Sequence, residues 1–302
     1  MSPSQIRGKL NGIYWWLEKR IDAQTKSSQY LYAETLRSHL RVGDSWLDLG
    51  CGRQVLPDWI PDQTSLLATP KLTVGIDYTR DSLKGNQQLS GFVVGDIENL
   101  PFAFESFDIV SANMVVEHLE KPFAALREVH RILRPGGRFI YHTPNSRFYM
   151  TFVASLLPQA VKNRIINLAE GRSEEDVFPT RYRMNSLKQY TKIAEAPGFR
   201  VAECHAVNTS STSEMIFGPF VILTLVIRRV LQWRRLRQFR SNFIVVLVKP
   251  PCVIRGGSVA SFLPGRVTVR SRSGMIESCS KVCFRLAQQA VAVELMPRGQ
   301  ES

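Results

Sequence analysis

The chain has 302 residues, of which 44% are hydrophobic, so it is long and apolar enough to bury a full core. This composition excludes an intrinsically disordered protein. The formal net charge of +13 indicates contact with something anionic, whether nucleic acid, an acidic membrane face or a phosphorylated substrate. Charge alone does not choose among these partners.

The cysteine pattern and the hydropathy of the chain bear on its compartment. The five cysteines lack the paired CxxC spacing of a zinc site, so we expect no metal and a reducing compartment. The charged N-terminal segment has no continuous apolar core of the kind a secretory signal needs. The longest apolar run, at 216–227, is shorter than the ~20 residues of a spanning helix. We therefore expect a cytoplasmic protein.

The order of elements predicts one sheet-containing domain. Residues 1–44 are interpreted as a helical segment that precedes the sheet, in the manner of a lid. From Ser45 onward, short apolar runs end in Gly or Asp and alternate with helical stretches, which is typical of a parallel α/β sheet. The seven strand candidates lie at 45–50, 72–77, 92–96, 107–114, 138–143, 199–207 and 242–249. We predict an α/β, Rossmann-like, seven-stranded doubly wound sheet with helices on both faces.

The domain boundaries follow from this pattern. The predicted domain covers 45–250, with insertions at 146–184 and 210–240. Within it, 122–133 has helical apolar spacing and is expected to be the crossover helix before the fifth strand. The period fails after Lys249, so 251–302 is interpreted as a basic, poorly ordered tail.

Acidic residues and glycines follow three successive strands. Asp48 precedes a turn in which Gly50 and Gly52 let the backbone approach a ligand closely, although such a turn is also found without a ligand. Asp77 ends the next strand, where a carboxylate would bind ribose hydroxyls or merely cap a helix. After the third strand, a carboxylate and an aliphatic side chain, Asp96 and Ile97, would contact an adenine ring. Together these positions predict a nucleoside site.

The run at 93–145, VVGDIENLPFAFESFDIVSANMVVEHLEKPFAALREVHRILRPGGRFIYHTPN, resembles the type-11 and type-23 class I methyltransferases, which include enzymes of ubiquinone and menaquinone biosynthesis. The resemblance covers about 45–205 and implies S-adenosyl-L-methionine as cofactor. It implies contacts to the methionine part from Asp48, Gly50 and Gly52, to ribose from Asp77, to adenine from Asp96 and Ile97, and around the sulfonium from Asn113 and Met114.

Two features of the sequence distinguish this chain from dinucleotide-binding dehydrogenases and from many members of the family that it resembles. The dinucleotide motif G-x-G-x-x-G has its last glycine where this chain has Val55, which disfavours a dehydrogenase. Many members of the resembled family carry a further glycine where this chain has Gln54, and Pro57 and Pro61 interrupt the following helix. We therefore expect the mouth of the cofactor site to be reshaped.

Candidate catalytic and substrate residues lie beyond the fourth and fifth strands. His118 and His142 would each remove a proton from a hydroxyl acceptor near neutral pH, or each would simply pack; Glu117 has the same ambiguity. The candidate substrate contacts are Arg181, Tyr182, Arg183 and Asn185, which would otherwise be solvated loop residues.

An apolar stretch followed by arginines occupies 216–240 and resembles an interfacial segment for an anionic membrane surface. The alternative is a core helix with a basic exposed end. We expect a methyltransferase acting on a small-molecule or lipid-linked acceptor at oxygen, cytoplasmic or peripheral at the inner membrane face. A nucleic-acid-binding or RNA-modifying protein that uses 228–240 is disfavoured because no RNA-binding module is found, and a non-catalytic cofactor-binding fold because the glycine turn and acids are intact.

Overall fold

Seven strands form one sheet, as the sequence predicts, but the sheet is mixed where the sequence pattern predicted a parallel one. The computed structural model describes residues 3–21, 26–83, 85–156, 180–195, 197–209, 221–251, 254–255 and 258–259. The strands are β1 (Ser45–Leu49), β2 (Leu72–Asp77), β3 (Gly91–Val94), β4 (Phe107–Asn113), β5 (Leu133–Pro144), β6 (Arg200–Val207) and β7 (Asn242–Val248). Their order is β3-β2-β1-β4-β5-β7-β6. Neighbouring strands are parallel, except that β7 is antiparallel to both β5 and β6. The chain leaves β6 at Val207 and enters β7 at Asn242, which are paired, so β7 runs in the opposite direction.

The helices cover both faces of this sheet. They are α1 (Pro3–Ile21), α2 (Ser28–His39), α3 (Gln63–Ala68), α4 (Pro122–Ile132), α5 (Tyr149–Leu156), α6 (Leu187–Glu195) and α7 (Val221–Leu231), with 3-10 helices at Val116–His118 and Arg234–Phe239. Side chains of α4 and α6 pack with one face of the central strands. Side chains of α2 and α3 pack with the other face. The two layers confirm the predicted doubly wound arrangement.

Alternation along the strands explains the two cores. On β1, Leu47 and Leu49 contribute to the core shared with α4 and α6, whereas Trp46 contributes to the core shared with α2. Successive side chains of a strand point to opposite faces, so these central strands are apolar on both sides. The strand β7 is likewise buried along nearly its whole length.

The start of β5 differs from the sequence prediction. The strand begins at Leu133, which already pairs with Phe107 of β4, and the register then shifts before Ile109. The Pro135-Gly136-Gly137 segment, which lies between the predicted helix at 122–133 and the predicted strand at 138–143, is therefore part of the strand. The N–H of Gly136 donates to the carbonyl of Lys249, which holds the segment to the end of β7.

Several sequence predictions lie outside the described residues. They concern 157–179 of the first insertion, 210–220 of the second, and the tail apart from Pro251 and a two-stranded hairpin, Ile254–Arg255 with Ser258–Val259. The predicted domain boundaries and the disorder of the tail stay predictions. Among the helices that are described, none combines the length and the apolarity needed to cross a bilayer.

Candidate active site

The glycine turn after β1 uses its two glycines differently. Both have a left-handed backbone, with φ of +62° at Gly50 and +49° at Gly52. A Cβ on Gly50 would lie 2.5 Å from Cγ2 of Val115, so this position has no room for a side chain. A Cβ on Gly52 would meet nothing within 4 Å. The turn is therefore packed at Gly50 and open at Gly52, where a ligand can approach the backbone.

Asp77 and Asp96 come at the ends of two neighbouring strands, at the carboxyl edge of the sheet. One carboxylate oxygen of Asp77 accepts the N–H of Gly52 at 3.0 Å, and the other accepts the N–H of Thr79 at 3.4 Å. The neighbouring strand pairs Val94 with Asp77, which places Asp96 two residues beyond that edge. Asp96 is exposed and Ile97 is half-buried. The two predicted acids thus follow neighbouring strands at the same edge of the sheet, and Asp77 also bonds the open turn.

Asp48 occupies a different environment from the other two acids. It is buried on β1, and its carboxylate accepts a hydrogen bond from the hydroxyl of Ser111 on β4. The indole N–H of Trp46 donates to the same hydroxyl at 2.7 Å. Burial raises the pKa of Asp48 to about 7, which the Ser111 hydrogen bond opposes and the charge of Asp77 reinforces. Asp48 thus belongs to an internal hydrogen-bond network.

The segment after the turn is a loop in which Pro57 and Pro61 lie. Helix α3 begins only at Gln63, and a loop fills the intervening 51–62. The side-chain oxygen of Gln88 accepts the N–H groups of Val55 at 2.7 Å and Leu56 at 3.1 Å. The side-chain amide of Asn86 donates to the carbonyl of Gly52 at 3.0 Å. No helix begins directly after the turn, and the N–H groups of Val55 and Leu56 in the loop are already occupied.

A row of side chains joins helix α2 to the ends of β4, β5 and β7. The amide of Asn113 donates to Gln29 at 2.8 Å, and its oxygen lies 2.9 Å from Nδ1 of His142. The amide of Asn242 lies 3.0 Å from Nε2 of His142. These partners require a neutral ring with its proton on Nδ1. Burial lowers the pKa of His142 to about 3, so the ring is neutral and both of its nitrogens are engaged.

Met114 stands next to this row. It has a left-handed backbone, with φ of +58°, and an exposed side chain. Its N–H donates to the carbonyl of His142 at 2.9 Å. A non-glycine residue in this conformation is uncommon and is concentrated at functional sites. The two residues predicted to flank the sulfonium, Asn113 and Met114, therefore lie at the end of β4 close to the carboxyl edge.

A second network surrounds Glu117 in the 3-10 helix after β4. Its buried carboxylate accepts the hydroxyl of Thr143 at 2.9 Å. The side-chain amide of Asn185 donates to the same Thr143 oxygen at 2.6 Å and to the carbonyl of Pro144 at 3.0 Å. Burial raises the pKa of Glu117 to about 7, against the hydrogen bonds from its own N–H and from Thr143. This carboxyl therefore exchanges a proton near neutral pH.

The predicted substrate segment folds onto the same place. The backbone N–H groups of Arg181 and Tyr182 donate to the carbonyl of Glu117 at 2.7 and 3.1 Å. Arg183 is exposed and donates to the carbonyl of Glu120 at 2.5 Å. His118 is half-buried in the 3-10 helix beside Glu117. Asn185 thus joins the Glu117 network, whereas the two arginine side chains face solvent.

Sequence reasoning missed the polar side chains that complete these networks. Gln29, Asn86 and Asn242 each bond a site residue from a distant part of the chain, and Gln88 bonds the loop after the glycine turn. Of these residues, Asn242 has the clearest signal in the sequence, because it is a polar residue at the very start of an apolar strand.

This chain is similar to known methyltransferases. Residues 47–141 match the family model described as "Methyltransferase domain". An uncharacterized methyltransferase of Schizosaccharomyces pombe is 31% identical over 110 residues, which are 33% of this chain and 39% of that protein. A demethylmenaquinone methyltransferase of Mycobacterium sp. strain JLS is 33% identical over 123 residues, which are 39% of this chain and 51% of that protein. The chain thus spans about half or less of the length of these curated relatives.

A solved S-adenosylmethionine-dependent methyltransferase from Mesorhizobium loti is 16% identical, with a TM-score of 0.46, over 71% of this chain and 96% of that one. The family match runs from β1 into β5. It therefore includes the glycine turn and the acids at the ends of the first three strands. On the basis of the family match, residues 47–141 of this chain form a methyltransferase domain.

Proposed function

We propose that this chain transfers a methyl group from S-adenosylmethionine to an oxygen atom of a small-molecule or lipid-linked acceptor. The observation that carries the proposal is the open turn at Gly52 bonded to Asp77, with Asp96 after the neighbouring strand at the same edge of the sheet. Carboxylates accept hydrogen bonds from ribose hydroxyls and from an adenine amino group. The half-buried Ile97 offers an apolar surface for the purine ring.

The loop after the turn supports this cofactor over a dinucleotide. Rossmann dehydrogenases bind a pyrophosphate at the N-terminus of the helix that follows the glycine turn. In this chain that helix is replaced by a loop, and Gln88 occupies the N–H groups of Val55 and Leu56. A cofactor without phosphate groups does not need these N–H groups, so the loop does not disfavour its binding. When bound, S-adenosylmethionine supplies a methyl group already activated on a sulfonium.

The residues around the sulfonium would act mainly by alignment, because displacement at an activated methyl group depends on the approach of the acceptor. Asn113 is held from both sides by Gln29 and His142. It can therefore keep a fixed orientation toward the reacting groups. Met114 presents an exposed, polarisable side chain beside it.

A hydroxyl acceptor also needs a base, and three candidates adjoin the site. His142 is a poor base here because both ring nitrogens are hydrogen-bonded and burial holds its pKa at about 3. Glu117 has a pKa of about 7 and is fixed by Thr143, so it accepts a proton near neutral pH. We therefore favour Glu117 over His142 as the base. His118, on the same 3-10 helix, stays the alternative.

The acceptor class rests on two supports. The name of the Mycobacterium relative states that its substrate is demethylmenaquinone, a lipid-linked quinone. The basic, apolar segment near the site provides the second support and is treated below.

Calorimetry with purified protein tests the cofactor assignment. We expect binding of S-adenosylmethionine and of its demethylated product, with no response to NAD; NAD binding without either sulfur nucleotide would refute the proposal. Extracts incubated with the protein and isotopically labelled methyl donor, followed by mass spectrometry, then identify the acceptor and the methylated atom.

A further inference from the structure

Helix α7 carries its apolar side chains on the outside. Ile222, Leu223, Val226 and Val230 are exposed by 51%, 54%, 45% and 39%. The spacing of Ile222, Val226 and Val230 places them on one face of the helix. A helix at the surface of a soluble protein normally turns such a face toward the core. Here a continuous aliphatic face is left open to solvent.

The buried side of α7 mixes polar and apolar side chains: Thr224, Leu225, Arg228 and Leu231. Arg228 is fully buried and forms an ion pair with Glu18 of α1, while its guanidinium also donates to the hydroxyl of Tyr14 at 3.0 Å. Thr224 on the same face is buried as well. An arginine is almost never fully buried unless it is paired. The ion pair therefore holds α7 in an orientation in which a second aliphatic face, that of Ile222, Val226 and Val230, points to solvent.

Exposed cations follow this apolar face along the chain. From 221 to 251 the sequence contains no acidic residue. Four arginines of this stretch are exposed: Arg229, Arg234, Arg235 and Arg237. Arg240 differs, because its guanidinium donates to the carbonyls of Leu231, Ala206 and Gln232. Between these cations stands Trp233, which is 68% exposed and belongs to a residue type enriched at membrane interfaces.

The same segment is attached to the candidate active site. The side-chain amide of Asn145, just after β5, donates to the carbonyls of Gln238 at 2.9 Å and Arg240 at 2.7 Å. Two residues later the chain reaches Asn242, which contacts His142. A surface that binds through α7 and the following 3-10 helix is therefore anchored to the carboxyl edge of the sheet.

We propose that the exposed face of α7 and the four exposed arginines dock the protein onto an anionic lipid bilayer. Aliphatic side chains would enter the boundary between headgroups and acyl chains, and the arginines and Trp233 would stay at the headgroups. An anionic bilayer matches both features, whereas RNA would use the arginines and leave the aliphatic face exposed. The inference goes beyond methyl transfer and is tested without it.

Sedimentation of the full chain with vesicles tests the proposal. We expect binding to vesicles of equal parts phosphatidylcholine and phosphatidylserine, weaker binding to phosphatidylcholine alone, and release as salt rises. Replacing Arg234, Arg235 and Arg237 with Gln should weaken binding by roughly fivefold per residue, or about a hundredfold together. Replacing Ile222 and Val226 with Ser should weaken binding at high salt as well as at low salt.

Matched controls separate docking from general attraction. Arg41, Arg127 and Arg200 are exposed elsewhere, and replacing them with Gln removes the same charge. Val42 and Phe123 are exposed elsewhere and serve as the apolar control when replaced with Ser. Equal losses in test and control variants would overturn the proposal, as would absence of vesicle binding or a preference for RNA. Thermal melting of each variant checks folding independently of cofactor binding.

Discussion

The backbone N–H of Gly52 donates to the carboxylate of Asp77 at 3.0 Å, so the turn after β1 and the acid at the end of β2 form one unit. Asp77 consequently shapes the turn in addition to any contact that it makes with the cofactor. Its second oxygen has only a long, 3.4 Å bond to the N–H of Thr79. That oxygen is the better placed of the two to accept a ribose hydroxyl.

Replacing Asp77 with Ala should weaken S-adenosylmethionine binding by about 1–3 kcal/mol, because both the turn and the ribose would lose a charged acceptor. Asp77→Asn keeps one acceptor for Gly52 and should lose less. Titration calorimetry measures both affinities. Asp44→Asn, at the amino end of β1, is the control and should bind normally. Unchanged affinity in Asp77→Ala would remove this residue from the site.

Gly52 and Gly136 allow a comparison at equal backbone cost. Both have positive φ and open space at the Cβ position, but Gly136 lies at the start of β5, at the opposite edge of the sheet. Each Gly→Ala change should lower the free energy of unfolding by roughly 1 kcal/mol through backbone strain. Only Gly52→Ala should also weaken cofactor binding, since its methyl group would enter the proposed ligand space. Denaturation and calorimetry on both variants measure this difference, and equal affinities would contradict it.

The sheet was accessible from the sequence because each strand is a short apolar run that ends in a recognisable residue. Predicted and observed bounds agree within two residues for every strand except β5. The start of β5 was missed because Pro135-Gly136-Gly137 has the composition of a helix stop. Only the pairing of Leu133 with Phe107 shows that the strand is already formed there.

The side-chain networks could not be predicted, because they depend on register between distant strands and on helix packing. The surroundings of His142 follow from the antiparallel insertion of β7 beside β5, which brings Asn242 to the ring. Likewise, the sequence does not distinguish Arg228 from the other basic residues of the same segment. Its burial depends on Glu18, which is 210 residues away in the chain.

That ion pair should be a large contributor to the packing of α1 on α7. Arg228→Leu would leave the Glu18 carboxylate buried without its charge partner, which costs about 3–5 kcal/mol in folding free energy. The double variant Arg228→Leu, Glu18→Leu should recover much of this loss, because it removes both buried charges. Urea denaturation measures the three free energies. Arg229→Leu changes the exposed neighbour and should leave stability nearly unchanged; a comparable loss there would refute the assignment.

The raised pKa of Glu117 makes stability depend on pH in a definite direction. The folded protein holds this proton up to about pH 7, whereas the unfolded chain releases it near the ordinary value of 4.5. Stability from Glu117 is therefore complete below pH 4.5, falls between pH 4.5 and 7, and is constant above. The difference corresponds to roughly 3 kcal/mol. Asp48 is shifted by burial in the same direction and adds to the same slope.

Glu117→Gln should remove its share of that slope and make the protein more stable than the unsubstituted chain at pH 8, because no buried charge forms. Urea denaturation across this range measures the change, and Glu195→Gln, at an exposed position on α6, should leave the slope intact.

If Glu117 is also the base for a hydroxyl acceptor, methyl transfer should rise with pH to a plateau above about 7, and Glu117→Gln should abolish this rise while S-adenosylmethionine still binds. A variant that loses the stability slope but keeps the full rate and its pH profile would confine Glu117 to a structural role and leave His118 as the candidate base.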